Sequence, residues 1–170
     1  MRYLCLILSC FFTTSVLAAD TVYLFRHAEK IKQTPNPGLT EQGHIRARSL
    51  CGWLKDKDIT AIYSSDYLRT RQTVMPLSKT LKLSVNAYNP RQLPDLVEVL
   101  ANQSGSVVVV GHSNTIPDTV RLLGGKAHDI DESDFDNIWQ VNTASKTVTS
   151  QHNQQSALFT QSTMCAPSND

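Results

Sequence analysis

Four residues of this sequence combine anion binding with nucleophilic character. Arg26 is followed directly by His27, and Arg69 and His112 lie further along the chain. A guanidinium group matches phosphate oxygens bidentately and keeps its proton at any working pH, which suits it to hold a phosphoryl group. A neutral imidazole nitrogen is a nucleophile, and nearby guanidinium cations lower its pKa and keep it neutral. These residue types predict a phosphoryl pocket in which a histidine attacks phosphorus.

The elements that must position these residues follow from the hydrophobic pattern, which alternates between strand and helix periods. Predicted strands lie at 21–25, 61–64, 83–88 and 107–110, predicted helices at 39–54, 68–81, 93–103 and 114–123, and a closing hairpin at 138–141 and 146–149. Four consecutive valines at 107–110 are typical of a strand that is covered on both faces. The order predicts an α/β domain of three layers, helix-sheet-helix, with a mostly parallel central sheet.

Polar residues follow three of the predicted strands at their carboxyl ends. His27 follows the first strand, Ser65 the second, and His112 the valine strand. Ligands bind at this edge of open α/β sheets, so the three positions should converge on one crevice, with Arg69 beside them. Two guanidinium groups and two imidazoles there need an anion to offset their charge. We also expect Ser65 and Asn114 either to contact that anion or to cap the helices that follow them.

Four motifs occur in the order of a known family. The first motif is Arg26-His27-Ala28-Glu29, which is similar to R-H-G-E, and the second is Leu39-Thr40-Glu41-Gln42-Gly43, which matches L-T-x-x-G. The third runs from Ser64 to Thr73 and is similar to S-S-x-x-x-R-x-x-Q-T, and the fourth is Gly111-His112-Ser113, which matches G-H-S. The chain therefore resembles the histidine phosphatase superfamily, also called phosphoglycerate-mutase-like. The resemblance implies the phosphoglycerate-mutase-like fold and a nucleophilic His27. It also implies that Arg26, Arg69 and His112 bind the phosphoryl group and that no metal or other cofactor is needed. Ala28 stands where glycine is commonest, which is tolerated unless that position requires a positive φ angle.

A general acid should protonate the leaving oxygen. In much of the family the acid is a carboxylate between the arginine motif and G-H-S, a region that here offers Asp95 and Glu98. Of the two, Glu98 is preferred by a small margin, and Asp118 is a further candidate. An ordinary surface role is the alternative for each of these carboxylates and for Glu29.

The predicted reaction is the metal-independent hydrolysis of phosphomonoesters through a phosphohistidine on His27. The arginines and His112 would stabilise charge on the phosphoryl oxygens, and water would then release phosphate. Two alternatives remain: a non-catalytic phosphate-binding module and a phosphohistidine protein phosphatase. The short stretch between Thr73 and Val107 leaves no room for a large cap, so the pocket should be open.

Other phosphatase chemistries do not fit the sequence. The sixth residue after Cys51 is Lys57, whereas a cysteine phosphatase requires arginine there. The stretch 129–133 superficially resembles an aspartate-nucleophile motif, but no apolar strand precedes it, and it is interpreted as a loop. Ser113 lacks the second glycine of a serine-hydrolase elbow, so it is not expected to be a nucleophile.

The first eighteen residues are predicted to be a signal peptide. Arg2 precedes an apolar run that is shorter than the about 20 residues of a membrane helix. Small residues lead to a cleavage site after Ala18, with cleavage after Ala19 as the alternative. We therefore expect a periplasmic or secreted protein without stable membrane insertion, with a histidine phosphatase domain at 19–160 and a flexible tail at 161–170. In an oxidising compartment, Cys51 and Cys165 either form a disulfide or remain a buried thiol and a loose one.

Charge narrows the range of partners. The chain has 16 Lys and Arg against 15 Asp and Glu, and Arg2 leaves with the predicted leader. Such a balance gives no global field that would attract nucleic acid or an acidic membrane surface. The predicted partner is a phosphorylated small molecule or an envelope sugar phosphate, and not a nucleic acid.

Overall fold

The structure of this chain is a computed structural model that describes residues 19–32, 34–145, 147–151 and 164–167. The predicted signal peptide at 1–18 lies outside these residues. The elements in chain order are β1 (Thr21–Arg26), α1 (Glu41–Leu54), β2 (Ile59–Ser65), α2 (Leu68–Leu81), β3 (Val85–Tyr88), α3 (Leu93–Ala101), β4 (Ser106–Gly111), α4 (Thr115–Leu122), β5 (Ile138–Asn142) and β6 (Thr147–Gln151). Among the described residues, no helix has the length and apolar character needed to cross a membrane.

One six-stranded sheet forms the centre of the molecule, in the strand order β3-β2-β4-β1-β5-β6. Strands β3, β2, β4 and β1 run parallel, whereas β5 and β6 extend the sheet in antiparallel fashion. All four valines of β4 are fully buried, as expected for a strand that is covered on both faces. The predicted α/β class and mostly parallel sheet are confirmed.

Helices cover both faces of this sheet. Val107 and Val109 of β4 pack in one cluster with residues of α3 and α4, whereas Val108 and Val110 pack in another with residues of α1 and α2. This division follows from strand geometry, in which successive side chains point to opposite faces. The molecule therefore has the three predicted layers, with a hydrophobic core on each side of β1 and β4.

The start of α1 docks against the loop that follows β1. The side chain of Thr40 caps the helix by accepting a hydrogen bond from the Gly43 N–H at 3.1 Å. A Cβ on Gly43 would collide with the carbonyl oxygen of Glu29, so this close approach requires glycine. The motif at Leu39 to Gly43 therefore has a structural role, because it holds the backbone two residues beyond His27.

Arg46 joins α1 to two other parts of the chain. Its guanidinium donates to both carboxylate oxygens of Glu29, at 2.7 to 3.0 Å, and to Asp136 at 2.5 Å. The Arg46 side chain is only 14% exposed, and loss of one partner from a buried ion pair is strongly destabilising. Glu29 is therefore the ion-pair partner of a structural arginine and does not have the ordinary surface role considered above.

A disulfide bond joins α1 to the C-terminal segment. It links Cys51 to Cys165, whose Cα atoms are 5.8 Å apart. The Cys165 N–H also donates to the carbonyl oxygen of Arg48 at 3.1 Å. Of the two alternatives for the cysteines, the structure contains the disulfide. Residues 164–167 of the predicted flexible tail are thus tied to α1, whereas 161–163 and 168–170 lie outside the described residues.

Candidate active site

Adjacent parallel strands bring the two histidine motifs together. β1 and β4 pair with Arg26 opposite Gly111, and the His27 N–H donates to the Gly111 carbonyl oxygen at 3.0 Å. The ring centroids of His27 and His112 are 5.5 Å apart. Glycine is required at position 111, because a Cβ there would lie 2.6 Å from the Tyr88 hydroxyl oxygen. The sheet edge therefore holds both imidazoles in one small volume.

Local hydrogen bonding fixes the tautomer of His27. Its Nδ1 lies 2.7 Å from the Ala28 carbonyl oxygen, which can only accept, so Nδ1 carries the proton. Nε2 therefore retains the lone pair that a nucleophile needs. Burial, aided by the charges of Arg26 and Arg69, lowers the pKa of His27 from 6.5 to about 3. The imidazole is consequently neutral over the physiological pH range.

Helix α2 supports the peptide that follows His27. The Ala28 N–H donates to Thr73 Oγ1 at 2.9 Å, and that hydroxyl donates to the Arg69 carbonyl oxygen at 2.7 Å. Gln72 accepts from the Leu39 N–H at 2.8 Å through its side-chain oxygen. Ala28 does not adopt a positive φ angle, so alanine occupies the usual glycine position without strain.

The tautomer of His112 follows from its two neighbours. Its Nδ1 lies 3.4 Å from the Arg69 Nη2 group, which can only donate, so Nδ1 carries the lone pair. Nε2 then carries the proton and donates to Ser65 Oγ at 2.9 Å. Burial, followed by the charges of Arg69 and Arg26, lowers the pKa of His112 from 6.5 to about 4. A bound phosphoryl anion would raise this pKa and favour protonation of Nδ1.

A pocket of about 310 Å³ opens in front of these side chains. Its lining is mainly polar and consists of His27, Lys30, Tyr67, Arg69, Pro90, Arg91, His112, Ser113, Asn114, Thr115 and Glu132. The Arg69 guanidinium stacks on the Tyr67 ring, 4.5 Å from the ring centroid. Three of the lining residues, Lys30, Arg69 and Arg91, are cations, against the carboxylate of Glu132. The lining therefore suits an anionic ligand.

Arg26 lies behind one wall of this pocket. Its side chain is 1% exposed, and Nη1 donates to the carbonyl oxygens of Asp131, Glu132 and Asp134 at 2.8 to 3.0 Å. Nη2 donates to Glu132 Oε2 at 2.9 Å, and the guanidinium carbon lies 4.3 Å from the Phe135 ring centroid. A buried guanidinium needs such partners to offset its desolvation. The structure thus gives both Arg26 Nη groups contacts with this loop, while Nε is buried without a hydrogen-bond partner, and a direct contact between Arg26 and the anion stays a prediction.

Glu132 is a charged pocket residue that was not predicted from the sequence, as are Lys30 and Arg91. It belongs to the stretch 129–133, which is outside helices and strands, as predicted. Oε2 accepts from Arg26, and Oε1 accepts from the Ser113 hydroxyl. The Ser113 hydrogen bond and the Arg26 charge lower the pKa of Glu132. The acidic composition of the stretch was the only sequence signal, since its path to the pocket depends on tertiary contacts with Arg26.

The two residues predicted either to contact the anion or to cap a helix have different positions. Asn114 lines the pocket, and its side chain makes no capping hydrogen bond to α4. Ser65 is fully buried behind His112, and Tyr67 occupies the N-cap position of α2. Asn114 is therefore placed to contact a ligand, whereas Ser65 can act on a ligand only through His112.

The structure does not bring the predicted general-acid candidates to this pocket. Glu98 is exposed on α3, midway between the buried Leu96 and Leu100. Residues two positions apart on a helix point to opposite sides, which accounts for this placement. Asp95 and Asp118 border other cavities and do not line the pocket described above.

Comparison with known families agrees with three of the four motifs. The family described as histidine phosphatase superfamily (branch 1) matches residues 22–100. This range contains the first three motifs, including His27 and Arg69, and ends before His112. The resemblance inferred from the motifs is confirmed. No curated protein is significantly similar to the chain.

Several solved structures share the fold. The protein histidine phosphatase SixA complexed with tungstate is 21% identical, with 77% of this chain and 94% of that chain covered and a TM-score of 0.60. A mycobacterial glucosyl-3-phosphoglycerate phosphatase is 13% identical, with coverages of 79% and 97% and a TM-score of 0.56. Phosphoglycerate mutase from Bacillus anthracis is 15% identical, with coverages of 83% and 96% and a TM-score of 0.59. At these identities the likeness establishes the fold alone.

Proposed function

We infer that this chain, whose residues 22–100 belong to the histidine phosphatase superfamily, is a phosphatase that hydrolyses phosphomonoesters through a phosphohistidine on His27. One observation carries the proposal. The Ala28 carbonyl oxygen accepts a hydrogen bond from His27 Nδ1, so Nε2 is left as the nucleophile. His27 lines the same pocket as Arg69 and His112. Cations around a neutral nucleophile favour attack on a phosphoryl dianion, because they offset the charge on its oxygens.

The reaction consists of two displacements at phosphorus. Nε2 of His27 forms a bond to phosphorus as the bond to the leaving oxygen breaks, while Arg69 and protonated His112 donate to the phosphoryl oxygens. Water then forms a new bond to phosphorus, the N–P bond breaks, and its electron pair returns to Nε2. In this scheme the guanidinium and imidazolium groups supply the positive charge that a metal ion supplies in other phosphatases.

The proposed site of action lies outside the cytoplasm, and the proposed substrate is a small phosphorylated molecule such as an envelope sugar phosphate. The predicted leader at 1–18 supports the location, and the polar lining of the pocket supports a hydrophilic leaving group. Fractionation followed by N-terminal sequencing tests the location. Mature protein that starts at Ala19 or Asp20 in the periplasm or medium is expected, and intact protein in the cytoplasm would contradict it.

The mechanism is tested with 4-nitrophenyl phosphate and its labelled form in the presence of EDTA. Wild-type protein should turn over, and enzyme quenched with alkaline detergent should retain labelled phosphate in a form that is stable to base and labile to acid. His27→Ala should lower kcat by at least about 10³-fold and abolish labelling. His44→Ala is the matched control, because this histidine of α1 is not among the residues that line the pocket. Phosphate binding without any turnover by the wild type would identify a binding module instead.

A second candidate substrate is phosphohistidine in a protein. The chain between Thr73 and Val107 forms only the end of α2, β3, α3 and their connections, so no inserted cap from this region covers the pocket. One of the similar structures is a protein histidine phosphatase. Comparison of kcat/KM for a phosphohistidine-bearing protein domain and for sugar phosphates distinguishes the two substrates.

A further inference from the structure

Glu132 has the position of a proton-transfer group. Among the described residues that line the active-site pocket, it alone carries a carboxylate. His27, Arg69 and His112 line the same pocket. A phosphoryl group under attack by His27 therefore shares this pocket with the Glu132 carboxyl group.

Two hydrogen bonds orient the carboxylate. Arg26 Nη2 donates to Oε2 at 2.9 Å, and the Ser113 hydroxyl donates to Oε1. The backbone of the loop is held as well, because Arg26 Nη1 donates to three of its carbonyl oxygens, including that of Glu132 itself. A carboxylate that is positioned through both oxygens and its own backbone is organised for proton transfer before a substrate arrives.

The Glu132 carboxyl group is also exposed to solvent, and the charge in the pocket that sets its proton affinity changes when substrate binds. Its side chain is 72% exposed, so it can exchange protons with water. In the free protein, the Ser113 hydrogen bond and the charges of Arg26 and Lys30 lower its pKa and keep it ionised. A phosphoryl dianion in the pocket acts in the opposite direction, since nearby negative charge raises the pKa of a carboxyl group. Substrate binding therefore favours uptake of a proton by Glu132.

We propose that Glu132 is the general acid and general base of the reaction, a role that rests on the proposed phosphohistidine mechanism. In the first displacement, the protonated carboxyl gives its proton to the leaving oxygen as the P–O bond breaks and His27 Nε2 bonds to phosphorus. An alcohol departs and a carboxylate remains. In the second displacement, that carboxylate takes a proton from water as the water oxygen bonds to phosphorus and the N–P bond breaks. Phosphate leaves, and the protonated carboxyl is restored.

The test compares Glu132→Gln with wild type on 4-nitrophenyl, phenyl and methyl phosphate. Glutamine keeps both contacts, because its carbonyl oxygen accepts from Arg26 and its amide can donate to Ser113, but it cannot transfer a proton. For methyl phosphate, a poor leaving group, kcat/KM should fall about 10²- to 10⁴-fold. For 4-nitrophenyl phosphate, whose phenolate leaves without a proton, kcat/KM should change by less than about tenfold.

The second displacement gives an independent readout on the same variant. With 4-nitrophenyl phosphate, Glu132→Gln should release about one equivalent of nitrophenolate rapidly and then slow, as phosphorylated His27 accumulates. Asp129→Asn is the matched control, because this carboxylate of the same loop pairs with Arg121 and does not line the pocket. This variant should retain wild-type rates with all three esters.

Four outcomes would overturn the assignment. An equal loss for all three esters without accumulation of the intermediate would mean that Glu132 only shapes the loop. A gain in activity or in phosphate affinity that does not depend on the leaving group would mean that Glu132 competes with substrate for Arg26. A wild type that hydrolyses none of the esters would overturn the proposed function itself, whereas an active wild type with an unaffected variant would overturn only the role of Glu132.

Discussion

Ser65 Oγ accepts a hydrogen bond from His112 Nε2 at 2.9 Å, so a buried serine sets the orientation of a pocket histidine. Ser65→Ala removes this acceptor and leaves the imidazole free to rotate away from Arg69. We expect kcat/KM for 4-nitrophenyl phosphate to fall about 10- to 100-fold, because small misplacements of catalytic groups have effects of this size. Steady-state kinetics on the purified variant provide the measurement.

The neighbouring serine offers the control for that prediction. Ser64 is also buried, but its hydroxyl donates to the Ser65 carbonyl oxygen, whereas the hydrogen bonds of the His112 ring go to Ser65 and Arg69. Ser64→Ala should therefore leave kcat/KM within about threefold of the wild type, since it removes only a local hydrogen bond. Equal losses in the two variants would indicate a general effect of cavities at the end of β2.

The rate of the first displacement, in which His27 is phosphorylated, should start to fall only at unusually low pH. Only the neutral imidazole of His27 is nucleophilic, and its pKa is lowered from 6.5 to about 3, so the competent form persists as the pH falls. Rapid-mixing measurements of the first displacement should show a rate that is nearly constant from pH 7 to about pH 5, with circular dichroism used to verify folding. A tenfold decrease per pH unit that starts near 6.5 would contradict the lowered pKa.

Glu98 should be dispensable for catalysis. It points away from the buried face of α3 and does not line the active-site pocket. We expect Glu98→Gln to retain kcat/KM within about twofold for methyl phosphate, the ester most dependent on proton donation. Asp95→Asn should behave in the same way. A loss of more than about tenfold in either variant would return the proton-donor role to α3.

Arg46 should contribute more to stability than an exposed arginine in an ion pair. Arg46→Met leaves Glu29 and Asp136 without their shared cation, and we expect the free energy of unfolding to fall by about 2 kcal/mol. Arg71 pairs with Asp66 at the surface, and Arg71→Met should cost less than about 1 kcal/mol. Urea unfolding of both variants makes the comparison, and equal losses would show that burial does not strengthen the Arg46 network.

The disulfide should stabilise the fold without affecting the reaction. Replacing both Cys51 and Cys165 by serine opens a covalent loop with a sequence separation of 114 residues. We expect the free energy of unfolding to fall by about 2–4 kcal/mol, since the unfolded chain regains conformational freedom. Because neither cysteine lines the pocket, kcat/KM at 25 °C should not change. Reductant should lower the free energy of unfolding of the wild type and leave that of the variant unchanged. A wild type whose stability does not respond to reductant would exclude the bond in solution.

Most helices and strands could be predicted because their local signals agree with the tertiary packing. Thr40 caps α1, and the valine run at 107–110 lies within β4. The ends of elements were harder to place. Leu83 was predicted to begin a strand, but Lys82 adopts a left-handed conformation and the Leu83 N–H donates to Ser78, so this segment still terminates α2. A lysine gives no sequence signal for that conformation.

In the candidate site as well, residues with local sequence signals could be predicted, whereas residues placed by tertiary contacts could not. His27 and His112 follow strands directly, so their common edge could be inferred from the strand pattern and the topology of parallel sheets. Glu132 could not be inferred, because it lies in a loop and is brought to the pocket by Arg26, 106 positions earlier in the chain. The direction of Glu98 depends on the rotation of α3 about its axis, which only the packing of Leu96 and Leu100 determines.

The central position of β1 has a consequence for synthesis. This first strand pairs on one side with β4 and on the other with β5, so its partners emerge from the ribosome long after it does. Such high contact order makes folding slow and places it late in synthesis. A nascent chain therefore carries His27 without Gly111, His112 or Glu132 around it, and is inert.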